Sequence, residues 1–529
     1  MNAADSAPNH WQRTTTRRVL VWLFRWVVLR RVLLVIAMLV TLPALFYAVE
    51  NWRGKRAWDQ HRRALEAQGE RFMLGELAPP SVPDAQNLAL APMLKPLFNF
   101  ARSPDRPLEW LDTNGLNRLE RMSIGRREGD PAVGNLDQGT FADFEACARF
   151  YRGNTNYLQA DPASSPAEVV RVALAAFDAD VAELRAAAAT RPVCRFPIDY
   201  AARESDGNPF AILLPHLGKL KGISLTLALR ATAGLELKQS AAAFADWELA
   251  LRLSNCLRDE PLLIDHLVRV AMVGVNLQVV REGLVRQAWS EEQLTGLQRD
   301  LATVDLLAEY GQAIRGERAC VVQTLDWARR QGWRFDPTDL LSFQGDSSEP
   351  GRSRWLWLMP GGWYCRNMVV LSRLHQDYTL AAVSPQQRRV SPPIAREGRK
   401  AVEALPTRAS TIFARQLFPA VINGAAKIAR MQTYVDAARV ACALERHRLA
   451  TGERPASLDP LVPRFLDRLP HDLIDGQPLR YRLLPEGGYV LYSIGWDEKD
   501  DGGKSARPPA PKGVAVEVQE GDWVWSLPR

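Results

Sequence analysis

The sequence lacks the short motifs that mark the common hydrolytic and nucleotide-binding sites. It contains no His-Glu-x-x-His, no Gly-x-Ser-x-Gly and no Gly-x-x-x-x-Gly-Lys segment, and its seven histidines are scattered along the chain. Its six cysteines stand at least 45 residues apart, so the Cys-x-x-Cys spacing of structural zinc sites is also missing. None of these motifs therefore points to an activity.

The cysteines are also poor candidates for a disulfide framework. They stand at positions 147, 194, 256, 320, 365 and 442, mostly in apolar surroundings of helical period. Six cysteines allow fifteen connectivities, and the sequence does not choose among them. We expect most of them to be buried free thiols.

The body of the chain has little net charge. The formal charge is +7, but residues 1–63 hold eleven arginines and lysines against three acidic residues, a net +8, so the remainder carries −1. A near-neutral body excludes a broad phosphate-binding face, and we predict no nucleic-acid partner. The basic N-terminus instead suggests a membrane surface.

One long uncharged run follows that basic segment. Val32 to Val49 contains eighteen residues without a charge, and as a helix it spans about 27 Å against a hydrocarbon core of about 30 Å. Trp26 and Trp52 flank it at interfacial depth, and Pro43 is tolerated in a membrane span. The sequence therefore predicts a transmembrane helix over 32–49.

A cleaved signal peptide and a buried core helix are the alternatives. The run is long for a signal peptide, and no Ala-x-Ala site follows it, whereas a core helix would not need basic flanks. Six arginines precede the run and five arginines or lysines follow it. We predict a single-pass protein of the bacterial inner membrane, with a basic cytoplasmic N-terminus (1–31) and a periplasmic body.

The remainder is predicted to be mainly α. A stalk and mixed region (50–209) contains one clear helix from Ser165, whose Ser-Pro-Ala-Glu start is a capping box. A helical body (210–408) has breaks at Asp259-Glu260-Pro261 and at Ser290, a second capping box, and Gly332 closes the first block. Short connections between consecutive helices predict an α-helical bundle or short solenoid. Prolines 385, 392 and 393 predict a linker before a long helical stretch at 409–449.

Carboxylates of the helical body are the candidates for a dispersed active site. Glu260 and Glu317 could contribute, but Glu317 lies between Arg315 and Arg318, which favours a structural ion pair. Asp265 and His266 are adjacent, and adjacent helical residues point to different faces.

The C-terminal segment resembles a known family. Residues 434–501 contain a helix ending ALERHRLATGERP, a turn and strand LPHDLIDGQPLRY, a strand YVLYSIGWD and an acidic Gly-rich loop, and GDWVW at 521–525 is similar to a closing strand. This pattern resembles the globular domain of the major pseudopilin of type II secretion. The resemblance implies that residues 409–529 form a long helix plus a small α+β module. In that family the apolar helix continues directly into the head, whereas here nearly four hundred residues intervene, which argues against assembly into a filament.

The resemblance also implies a calcium site in the acidic loop. The ligands would be Asp497, Asp500 and Asp501, beside Gly502 and Gly503. Calcium takes six to eight oxygen ligands from carboxylates and carbonyls, and a glycine-rich loop lets carbonyls turn inward. The alternative is a solvated turn of the same composition, partly neutralised by Lys499.

These features predict a membrane-anchored envelope protein with a non-enzymatic interaction or scaffold role, whose partners are the membrane and other envelope proteins. A membrane-tethered hydrolase with dispersed acidic residues and a component related to type II secretion are the alternatives. A deep polar cleft with convergent carboxylates would favour the enzyme, and a concave apolar helical surface would favour the binder.

Overall fold

Of the residues that the structure describes, 62% lie in helices and 7% in strands, so this part of the chain is mainly helical. The structure is a computed structural model that describes residues 22, 26–103, 106–124, 133–201, 207–332, 358–485, 487–505 and 520–528. Most of the predicted basic N-terminus (1–31) lies outside the described residues.

The first element is one continuous helix, α1 (Trp26–Glu66), which is 41 residues long and contains Pro43. It includes both the predicted apolar span and the polar stalk. The short helix α2 (Leu74–Leu77) follows.

The mixed region contains four more helices and a small hairpin. The hairpin pairs β1 (Phe100–Ser103) with β2 (Arg106–Trp110). The helices are α3 (Thr113–Arg121), α4 (Phe144–Arg152), α5 (Pro166–Leu174) and α6 (Asp178–Thr190). The predicted Ser165 capping box is present, because the Ser165 hydroxyl accepts from the Glu168 N–H and the Glu168 carboxylate accepts from the Ser165 N–H. A short 3-10 turn at Ala175–Phe177 separates α5 from α6, so the segment after Ser165 forms two helices where one was predicted.

Five α-helices make up the first block of the predicted helical body, over residues 215–331. They are α7 (Pro215–Glu236), α8 (Ser240–Asn255), α9 (Leu263–Val285), α10 (Glu291–Leu301) and α11 (Leu306–Gln331). The breaks fall where they were predicted: the second capping box forms between Ser290 and Gln293, and Gly332 ends α11 with a φ of +57°. The mainly helical prediction is confirmed for this part of the chain.

The next elements show one error of the sequence prediction. They are α12 (Gly361–Leu374), a π-helical turn (His375–Leu380), the two-residue strands β3 (Val383–Ser384) and β4 (Arg389–Val390), α13 (Pro392–Glu403), α14 (Ile412–Ile422) and α15 (Gly424–Thr451). The predicted proline-rich linker is wrong at 392–403, because Pro392 and Pro393 occupy the first turn of α13. A first turn has no intrahelical N–H bond to lose, so proline is tolerated there.

A three-stranded antiparallel sheet completes the chain, in the order β5 (Arg480–Leu483), β6 (Tyr489–Ser493), β7 (Trp523–Leu527). Tyr481 pairs with Leu491, and Leu491 pairs with Trp525. The sheet packs on α15. The predicted helix and small antiparallel sheet are thus present, while a pseudopilin relationship remains a separate question.

Buried residues from the mixed region, the helical body and the C-terminal part belong to one hydrophobic core. Helix α15 contacts α9, α10 and α11 as well as the sheet. The core therefore runs continuously across the predicted boundaries at 209 and 408, and those boundaries remain predictions. All six cysteines are buried, and Cys194, Cys256, Cys320, Cys365 and Cys442 are free thiols.

Candidate functional site

Most of the apolar run of α1 is exposed. Its apolar window is 0% buried, whereas α9, the other described helix that is apolar and long enough to cross a membrane, is 67% buried in the core. Leu39 and Val40 are 67% and 64% exposed. The stretch is therefore not a core helix. It is long and apolar enough to span a membrane or to act as a signal sequence.

The polar half of the same helix is docked on α12. Its buried positions, Glu50, Gly54, Trp58 and Leu65, are four, four and seven residues apart and form one face. Glu50 is central to the contact: it accepts a hydrogen bond from the Trp363 indole at 2.7 Å and pairs with Arg366 at 3.0 Å.

The two helices cross at a pair of glycines. A Cβ built on Gly54 would lie 2.0 Å from the carbonyl oxygen of Gly362, and one built on Gly362 would lie 2.0 Å from that of Glu50. The Asn51 side chain also accepts the Gly362 N–H at 2.8 Å. Because backbone meets backbone here, the body is held in a fixed orientation to the projecting helix.

A cleft of about 420 Å³ opens in the mixed region of the body. It is lined by Glu120, Arg121, Ser123, Ile124, Asn154, Asn156, Tyr157, Ala176, Phe177 and Asp180. The residues come from the end of α3, the loop after α4, the 3-10 turn and the start of α6. Its volume lies within the usual range of ligand pockets, about 300–1,000 Å³.

The carboxylates of this cleft are engaged by cations. Arg118 binds Asp180 and also donates to Glu183 at 2.6 Å, while Lys219 forms an ion pair with Glu120. Aromatic side chains close one wall, where Tyr157 and Phe177 meet edge to face at 6.4 Å between ring centroids. The cleft thus offers balanced charge, amide groups and an aromatic surface, which suits an uncharged polar ligand.

A second polar group lies buried in the helical block. Glu260 and Asp265 are 0% exposed, and the Tyr200 hydroxyl donates to Glu260. Burial raises the pKa of Glu260 to about 7 and that of Glu317 to about 7, and burial together with Glu260 raises the pKa of Asp265 well above its usual value. Each of these carboxyls therefore stays protonated to a higher pH than it would in water.

The predicted ion pair of Glu317 is wrong. Arg315 and Arg318 both bind Glu70 instead, Arg315 at 3.0 Å. Glu317 accepts a backbone hydrogen bond from Leu263. Glu260, Asp265 and Glu317 lie near one another, as a dispersed site would require, but Glu260 and Asp265 are buried and Glu317 is half-buried. The cleft is lined by other residues.

Asp265 and His266 point apart, as predicted. Asp265 lies near Glu260 and Glu317, and both of these carboxyls raise its pKa. The His266 imidazole contacts the Glu260 carbonyl at 2.8 Å and lies 3.9 Å from Glu309. The two residues therefore do not act as a pair.

The predicted calcium ligands lie together in the loop after β6. Asp497 accepts the Gly521 N–H at 3.1 Å, and Asp500 accepts the Gly502 N–H at 2.9 Å and lies 3.5 Å from Arg480. Among the described residues no group of three His, Cys, Asp or Glu side chains is close enough to hold a metal ion. The calcium site at Asp497, Asp500 and Asp501 stays a prediction.

Sequence reasoning missed Asp522, which belongs to the same loop system. Its carboxylate accepts the Gly503 N–H at 2.7 Å and the Asp501 N–H at 3.3 Å. Burial, with Asp500 and Asp501 nearby, raises the pKa of Asp522. The sequence signal for Asp522 was its position directly after Gly521, in the segment that is similar to a closing strand. The cleft was missed as well, because its residues are dispersed and ordinary in type.

No family model matches the chain. Neither the curated proteins nor the solved structures contain a significant match. The likeness of residues 434–501 to a pseudopilin head therefore has no support from these comparisons, and function has to be argued from the exposed helix, the docked body and the cleft.

Proposed function

We propose that the protein is a single-pass envelope protein of the bacterial inner membrane with a non-enzymatic binding role. Its body lies on the periplasmic side, and the cleft lined by Asn154, Tyr157 and Asp180 binds an uncharged polar part of an envelope partner. The observation that carries the proposal is the uncovered apolar helix, which continues without a break into a helix that is docked on the body.

The continuity of α1 supports an anchor rather than a removed signal sequence. Tyr47, inside the apolar run, donates to the Leu358 carbonyl, and Phe46 meets Trp363 edge to face at 6.1 Å. Cleavage after the run would remove these contacts with the body. A rigidly docked helix instead presents the body in one orientation to the membrane, as a scaffold requires.

The charges in the cleft support binding rather than acid catalysis. A general acid needs a proton that it can donate, yet Asp180 is held by Arg118 and Glu120 by Lys219. The buried carboxyls whose pKa is raised, Glu260 and Asp265, are 0% exposed and do not line the cleft. The charges of the cleft therefore favour the binding role over the hydrolase alternative.

Topology is tested by fusing a reporter that is active only outside the cytoplasm after Gly69. We expect an active fusion in the membrane fraction. A well-expressed but inactive fusion would overturn the orientation, and recovery of the mature body from the soluble fraction would overturn the anchor.

Binding at the cleft is tested in the cell with a photo-crosslinking residue at Asn156, an exposed position of the cleft. The matched control carries the same residue at Arg299, whose side chain is 69% exposed on α10. We expect a discrete adduct from position 156 that Tyr157→Ala weakens, and none from position 299. Equal adducts from both positions would contradict the proposal.

A second and narrower proposal is that the C-terminal module contacts components of a secretion machine. Helix α15 and the three-stranded sheet have the order that the pseudopilin resemblance implies. Co-purification with secretion components that is lost on deleting residues 480–529, with the anchor unchanged, would favour it. Unchanged co-purification would remove it.

A further inference from the structure

A basic pocket lies where the exposed half of α1 gives way to the docked half. It measures about 450 Å³ and is lined by Trp52, Arg53, Arg56, Ala57, Gln60 and Arg366. Three of these six residues are arginines and none is acidic. Arg366 comes from α12, more than three hundred positions away, so the close crossing of Gly54 and Gly362 builds the pocket from two helices.

The arginines are only partly neutralised. Arg53 and Arg366 share a single carboxylate, that of Glu50, at 3.3 and 3.0 Å. Glu50 is 10% exposed and also accepts a hydrogen bond from the Trp363 indole. Its single negative charge does not balance the charges of both arginines. Arg56 has an aromatic neighbour, with its guanidinium carbon 5.6 Å from the Trp52 ring. The pocket therefore keeps a clear excess of positive charge.

The position of the pocket matches the headgroup layer. The apolar run ends at Val49, so Arg53 and Arg56 lie roughly 6 and 10 Å further along the helix at about 1.5 Å per residue. The headgroup region adds roughly 5–8 Å on each side of the hydrocarbon core, so Arg53 lies within it and Arg56 at its outer edge. On the body, Leu358 is 72% exposed and its carbonyl accepts a hydrogen bond from Tyr47, near the end of the apolar run, so the body reaches the end of that run.

We propose that this pocket binds the phosphate headgroup of an anionic phospholipid, whose acyl chains lie along the exposed apolar part of α1. The proposal rests on the membrane anchoring proposed above. Guanidinium groups bind phosphate oxygens in a bidentate manner, and Trp52 suits the interface because its indole is both apolar and a hydrogen-bond donor. Lipid in the pocket would fix the tilt of the body on the membrane.

The test uses the full-length protein in nanodiscs of phosphatidylcholine alone or with phosphatidylglycerol. The variant Arg56→Gln/Arg366→Gln removes two charges from the pocket and leaves Arg53 with Glu50. The control Lys55→Gln/Arg63→Gln removes two charges from exposed positions of α1 that do not line it. Retained phosphatidylglycerol after detergent extraction and the midpoint of thermal unfolding are measured for each protein.

We expect phosphatidylglycerol to raise the midpoint of the natural protein and of the control, and to be retained about tenfold less by the pocket variant. Equal losses in both variants would overturn the pocket in favour of diffuse attraction. Equal stabilisation by soluble phosphate or glycerol phosphate would overturn the lipid as the source. Because the pocket variant keeps its apolar helix, we expect to find it in the membrane fraction. Absence of the natural protein from the membrane fraction would refute the proposed anchor rather than the lipid site.

Discussion

Gly54 and Gly362 bring the backbones of α1 and α12 into direct contact. Any side chain at Gly54 would have to displace the Gly362 carbonyl, which lies 2.0 Å from the position of a Cβ. This contact joins the exposed apolar helix to the body, and it also places Arg366 beside Arg53. The orientation of the body and the basic pocket therefore depend on the same two glycines.

We expect Gly54→Ala to lower the free energy of unfolding of the body by about 1–3 kcal/mol, the usual cost of overpacking a tight contact. The matched control is Gly218→Ala in α7, where a Cβ would meet nothing within 4 Å. Alanine is favoured over glycine in an open helix by up to about 1 kcal/mol, so the control should be neutral or stabilising. Chemical unfolding in detergent measures both, and equal effects would contradict the close crossing.

Local sequence signals predicted the elements well. The capping boxes at Ser165 and Ser290 depend on residues three positions apart, and both are present. The strands at 480–483 and 489–493 lie in the two segments that the pseudopilin resemblance identified as strands. The error at Pro392 arose because proline breaks a helix interior but is compatible with the first turn, and composition alone does not separate these cases.

The candidate sites were harder to predict because they depend on contacts between distant segments. Residues one or two apart on a helix do not face each other, so Arg315 and Arg318 did not identify a partner for Glu317. Their partner, Glu70, is more than 240 positions away. Arg53 was visible as part of a basic cluster, but nothing in the sequence assigned Arg366 to it.

The stability of the protein should respond to pH through Glu260. A carboxyl whose pKa is raised in the folded state stabilises the fold when it is protonated, and that stability is lost as pH rises through the folded value. For Glu260 this stability is lost between pH 4.5, the ordinary pKa of the carboxyl, and about pH 7, and above that both the folded and the unfolded states are ionised. The buried histidines His266 and His375 act in the opposite direction, because burial lowers the pKa of each to about 4.

The measurement is therefore a difference between variants. Glu260→Gln keeps an acceptor for Tyr200 but does not ionise. Between pH 4.5 and pH 8 the free energy of unfolding of this variant should rise relative to the natural protein by about 3 kcal/mol. Glu397→Gln, at a side chain that is 61% exposed, should show no such trend. A pH-independent difference for Glu260→Gln would refute the buried, protonated carboxyl.

Asp472 should be the most sensitive acidic residue of the C-terminal module. It is 0% exposed, accepts from the Ile474 and Ile494 N–H groups at 2.9 and 3.0 Å, and pairs with Arg480 at 2.9 Å. Removing one partner of a buried pair costs about 3–5 kcal/mol, so Asp472→Ala should destabilise the protein by that amount. Asp475, which also pairs with Arg480 but is 26% exposed, is the control, and Asp475→Ala should cost about 1 kcal/mol or less. Similar losses in the two unfolding curves would contradict the central role of Asp472.

The acidic loop after β6 should bind calcium if the pseudopilin resemblance extends to its ligands. Asp500, Asp501 and Asp522 lie close enough for Asp500 and Asp501 to raise the pKa of Asp522, and a bound cation would relieve this repulsion. Binding would require Asp500 to leave Arg480, which lies 3.5 Å away. At free calcium about 100-fold above the dissociation constant, linkage predicts a stabilisation of about 2.7 kcal/mol. We expect millimolar calcium to raise the unfolding midpoint of the full-length protein relative to chelator, and Asp497→Ala to abolish the difference. Identical midpoints with calcium and with chelator would mean that the loop is a turn held by its own hydrogen bonds, such as that from the Gly502 N–H to Asp500.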